Sequence, residues 1–103
     1  MSNRPYEFIA TADPAHVQRE KSKARELRSS QWWKQEIGKG ICYHCEQKFP
    51  REELTMDHLI PMSRGGRSTK KNIVVACKRC NSLKKNLTTA ELRLRELRSK
   101  KAE

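Results

Sequence analysis

Apolar material is what this sequence has least of. Only 35% of its 103 residues are hydrophobic, with two Trp, two Tyr and two Phe. No stretch approaches the roughly 20 apolar residues needed to cross a bilayer, and the N-terminus has no signal-peptide core. The expected location is therefore soluble and cytoplasmic, in a bacterial or phage setting, with no membrane partner. Repeats and low-complexity segments are also absent. A core this small seldom holds a chain together without a disulfide or a metal. Acidic residues are missing from 64–85, where Arg64, Arg67, Lys70, Lys71, Lys78, Arg79, Lys84 and Lys85 stand together.

The charge present is strongly positive. The formal net charge is +11, and residues 41–87 hold 10 Lys/Arg against 4 Asp/Glu. Dense positive charge draws polyanions, because each phosphate neutralised releases counterions from a nucleic acid. A solvated basic face serving solubility is the plainer alternative. Overlap of the run with the motifs below favours nucleic acid, with Arg64, Arg67, Lys70, Lys71 and Lys84 as candidate phosphate contacts.

The pattern predicts one compact domain in three stretches: a helical arm over 1–40, a chemical module over 41–87 and a last helix over 88–103. Residues 1–12 read as irregular. Asp13-Pro14 can start a helix reaching about Ile37, with Ser29-Ser30 as a potential break and Gly38 and Gly40 as stops. Trp32 and Trp33 suit base stacking, but anchoring of at least one onto the module is the preferred reading. Short strands are expected over Ile41–Cys45 and Leu54–Leu59, then comes the apolar run Ile73–Ala76 and a helix from near Lys78 to about Lys85. Thr88 and Glu91 form a capping box for a last helix whose apolar face is Ala90, Leu94 and Leu97.

Cys42-Tyr-His-Cys45 and Cys77-Lys-Arg-Cys80 are two C-x2-C pairs. Each spacing lets one tight turn present two sulfurs to a tetrahedral ion, so Cys42, Cys45, Cys77 and Cys80 are expected to bind a structural Zn²⁺. A thioredoxin-like redox pair is the rival reading. His44 reads as a surface residue of the knuckle, and His16 as a surface residue of the arm. Four thiolates and one Zn²⁺ would lower the net charge from +11 to about +9.

Between the pairs run Asp57-His58-Leu59-Ile60-Pro61, Ser63-Arg64-Gly65-Gly66, Asn72 and, across the second pair, Asn81. Adjacent Asp and His face opposite sides of a regular strand, so joint use of both needs a strand end or a bend. The array, from about Trp32 to Leu87, resembles the HNH endonuclease family. That resemblance implies a small α+β fold, a ββα-metal HNH finger stapled by the four-cysteine site and flanked by N- and C-terminal helices. It implies a metal-dependent DNA endonuclease in which Asp57 and Asn81 ligate Mg²⁺ or Mn²⁺. His58 would be the general base, and Asn72 would hold the loop through hydrogen bonds. Asn81 stands where many members carry His, which favours a hard, oxygen-liganded ion. Helix capping is the plainer role for Asn81. A zinc-ribbon nucleic-acid-binding module without catalysis, and an RNA- or ribosome-binding protein, are the competing functions. A homodimer is a further expectation, since one such site cuts one strand.

Overall fold

The computed structural model describes residues 12–85 and 87–101, without the side chains of 98–101. The irregular segment expected over 1–12 lies almost wholly outside the described residues. Helix α1 spans Pro14–Arg28, opened by the Asp13 carboxylate, which accepts the Ala15 N–H at 2.9 Å. Ser29-Ser30 does break the arm. The Ser30 hydroxyl donates to the Leu27 carbonyl at 2.6 Å and accepts the Trp33 N–H at 3.2 Å, closing α1 and capping α2, Gln31–Gly38. Gly40 follows at φ +73, a left-handed conformation that few other residues adopt cheaply.

The chemical module is built on two strands. Strands β1, Leu54–His58, and β2, Ile73–Cys77, pair antiparallel, with Asp57 opposite Val74 and His58 opposite Ile73. Helix α3, Lys78–Lys84, leaves β2 directly and packs across both strands. A short strand expected over Ile41–Cys45 is replaced by one isolated bridge, Ile41 to Lys48. The reason is local. Cys42 and Cys45 must turn their sulfurs to one point, so the chain reverses with the Glu46 N–H on the Cys42 carbonyl at 2.9 Å. Glu46 itself sits at φ +61.

Trp33 and Ile37 of α2 join Cys42, Leu54, Ile73, Val75, Ala76 and Cys77 in one buried cluster. Trp33 is the anchor expected of the arm. Trp32 packs partly against the same cluster, and the Lys70 ammonium lies 5.6 Å from its ring centroid.

The last helix, α4, spans Thr89–Lys101, and Thr88 caps it by accepting the Glu91 N–H at 3.2 Å. Its expected apolar face is turned outward. Leu94 and Leu97 are exposed, and Leu92 is the position that is buried. Docking at the helix's first turn decides this, because Arg64 forms an ion pair with Glu91 and the Thr89 N–H donates to the Leu59 carbonyl. Among the described residues no helix is long and apolar enough to cross a membrane. The fold is small α+β, as the family resemblance implies.

Candidate functional site

The two C-x2-C turns bring four sulfurs together. The Sγ atoms of Cys42, Cys45, Cys77 and Cys80 all lie within 4.8 Å of one another. Zn–S bonds of about 2.3 Å in a tetrahedron put sulfurs about 3.8 Å apart, so the donor set and spacing both fit a zinc-like ion. Burial pushes the Cys45 and Cys80 thiols up. Burial acts the same way at Cys42, but N–H groups of Cys45, Cys77 and His44 outweigh it and hold that thiol at about 7. Four thiols with no open position suit a staple better than a catalyst.

Asp57 and His58 occupy the last two positions of β1, and their side chains diverge as strand geometry requires. Asp57 is buried. One carboxylate oxygen is 3.2 Å from the Lys84 Nζ, and the other is 2.7 Å from the His44 Nε2. Sequence reasoning places neither partner there. His44 has a buried side chain, because the knuckle turn faces it to Asp57 instead of to solvent. Lys84, expected to contact DNA phosphates, is fully buried. Its ammonium donates to Asp57 and, at 2.5 Å, to the His58 carbonyl. A buried ammonium is tolerable only with such partners, and Lys84 is thereby removed from the phosphate-contact surface.

His58 faces the other way, with its Nε2 2.9 Å from the Ser68 hydroxyl. Burial holds its imidazole below the ordinary value, against the opposing pull of Asp57. Despite their divergence, Asp57 and His58 line one cavity of about 340 Å³ with Asn81, Lys84 and Lys21. The strand end makes this joint access feasible. Asn81 lies in the middle of α3 and caps no helix; Cys77 is the residue at the N-cap. The carboxylate of Asp57 and the amide of Asn81, both on this cavity, offer oxygens of the kind a hard divalent ion takes while keeping several of its waters.

The loop between the strands is held by Asn72. Its Nδ2 donates to the carbonyls of Ile60 and Arg67 at 3.0 and 2.9 Å, and its Oδ1 accepts the Ile60 N–H at 2.9 Å. The Leu59 N–H adds a bond to the Asn72 carbonyl. Gly66 permits this closure, since a Cβ there would stand 1.7 Å from the Ile60 carbonyl oxygen. His16 of α1 reaches the Gly66 carbonyl at 3.0 Å, so it ties the arm to the loop instead of standing free on the surface. Arg67, Lys70 and Lys71 are exposed, whereas Arg64 is half-buried against Glu91.

A family model described as HNH endonuclease matches residues 42–96, more than half of the chain. The match begins at the first cysteine and runs into α4, further than the resemblance read from the motifs, and it leaves out α1 and α2. No curated protein matches the chain.

Proposed function

The chain belongs to the HNH endonuclease family, and from that we propose that it is a metal-dependent DNA endonuclease with His58 as general base. The observation that carries this reading is the shared cavity of Asp57, His58 and Asn81, with the loop beside it clamped by Asn72. Asp57 and Asn81 would hold one Mg²⁺ or Mn²⁺. Such an ion supplies positive charge against the negative charge that develops on the phosphate and the departing 3′ oxygen. His58 takes a proton from water, and the hydroxide so formed attacks phosphorus. A buried, neutral imidazole suits that task at physiological pH. The ammonium of Lys84 orients one oxygen of the Asp57 carboxylate, and His44 holds the other. The four-thiol cluster takes a structural Zn²⁺ on this reading and anchors both ends of the module.

Supercoiled plasmid with added Mg²⁺ or Mn²⁺ gives the direct test. Nicked circles are expected first, since one site reaches one of two scissile phosphates that lie apart on antiparallel strands. A double-strand break then takes a second encounter or a two-fold dimer matched to the symmetry of the duplex. DNA bound but uncut under all these conditions would leave a binding module and sink the nuclease reading.

Binding is expected to be electrostatic and weakly sequence-specific, through exposed Arg67, Lys70 and Lys71. Removing one phosphate-neutralising cation should reduce the salt slope of affinity by about 0.9. The pair Lys70→Ala and Lys71→Ala should therefore weaken binding and flatten the slope together. Unchanged affinity and slope would remove the 64–85 surface from the interface.

A further inference from the structure

We propose that Ser68, seated on Glu20 of α1, is a positioning residue that fixes the proton of neutral His58 on Nε2 and leaves Nδ1 to accept the proton of water. This rests on the reading of His58 as general base. It adds to that base a device whose second half lies in the arm, outside the matched 42–96.

The Ser68 Oγ is 2.6 Å from the main-chain carbonyl oxygen of Glu20 and 2.9 Å from the His58 Nε2. A carbonyl oxygen has no hydrogen, so an O···O separation this short needs one from the hydroxyl. Serine has only one to give. The contact to His58 must then be made by an imidazole N–H donating to Oγ, which assigns the proton to Nε2. In a neutral ring Nδ1 is left as the acceptor. Ser68 is not among the residues around the cavity shared by Asp57 and Asn81, whereas His58 is.

Ser68 is itself held firmly. It is buried, its N–H donates to a Glu20 carboxylate oxygen at 2.6 Å, and Lys23 lies 3.3 Å from the other oxygen. The Ser68 N–H is the main reason the buried Glu20 carboxyl titrates low and stays ionised. Both the carbonyl and the carboxylate of one α1 residue thus grip one loop residue 48 positions away. The arrangement also suits the chemical step. When Nδ1 takes the proton, the O–H bond of water breaks and an N–H bond forms, while Nε2–H still donates to Ser68 and Ser68 still donates to Glu20. Nothing in the support reorganises as the charge appears.

Nitrogen-15 spectra of the imidazoles of the full, zinc-loaded chain, taken where His58 is neutral, test this without any variant. His58 is expected to carry its proton on Nε2, and a proton on Nδ1 would overturn the assignment. Ser68→Ala should move the tautomer populations and lower kcat on plasmid about ten- to hundredfold, with KM within about twofold and zinc content unchanged. Ser68→Thr, which keeps the hydroxyl, should recover most of the rate and the parental spectrum. Parental kcat and tautomer in Ser68→Ala would sink the proposal. His58→Ala run beside it separates the two readings. If that variant still cuts normally the general base is wrong, whereas its loss with Ser68→Ala unaffected condemns only the role of Ser68.

Discussion

His58→Ala should lower the rate of strand nicking about 10²- to 10⁴-fold, the span typical of removing a general base, with DNA affinity nearly unchanged. The separation of rate from affinity follows from where the residue sits. His58 is buried at the end of β1, while Arg67, Lys70 and Lys71 are exposed on the surface proposed to meet phosphates. Losing the imidazole therefore removes no surface charge. Burial lowers the His58 pKa from its ordinary value of 6.5, so the residue is neutral at pH values where an exposed histidine is half protonated. Protonation abolishes the base, so kcat/KM should fall on the acid side only as the pH drops below 6.5. Near-parental cleavage by His58→Ala, or an acid limb centred well above that pH, would remove His58 from this role.

Stripping the metal, or replacing Cys77 by Ser, should cost the chain its cooperative fold. The magnitudes decide this. Structural zinc contributes about 10–16 kcal/mol of apparent binding energy in small zinc modules, against a net stability of about 5–15 kcal/mol for a typical domain. The described core here is one cluster that includes Cys42 and Cys77 themselves, beside Trp33, Ile37, Leu54, Ile73, Val75 and Ala76. Little apolar packing remains to hold β1 to β2 once the sulfurs part. Cys77 has a second duty, since its sulfur accepts the Cys80 N–H at the start of α3. Circular dichroism melts read beside metal analysis give the check. A Cys77→Ser chain with the parental melt and parental zinc content would show that the staple is not zinc.

Loss of the fold would also dismantle the cavity shared by Asp57, His58 and Asn81, because the same short span serves both. Cys77 ends β2, and Asn81 and Lys84 follow one and two turns into α3. Cys42 opens the turn that carries His44 to Asp57. Zinc-stripped protein should therefore lose cleavage together with structure, whereas His58→Ala should lose cleavage alone.

What the sequence determined by itself was the local and the interleaved. Capping chemistry at Asp13, Ser30 and Thr88 marks where helices begin, because those bonds join residues two or three positions apart. The paired cysteines signal their cluster because thiolates at that spacing have few other uses in so small a core. Asp57, His58, Asn72 and Asn81 were legible because their order among the cysteines is specific. The tertiary structure alone decided which way side chains face. A lysine in a basic run reads as surface until β1 is seen to place a carboxylate and a carbonyl against it, and Lys84 goes inward for that reason. His44 turns to Asp57 because the reversal at Cys42 aims it there, and no periodicity records the direction of a tight turn. The outward face of α4 follows from the Arg64–Glu91 pair at its first turn. Ser68 and Glu20 are ordinary letters 48 residues apart. Only the docking of α1 on the loop joins them to His58, because a contact between distant segments leaves no pattern in either one.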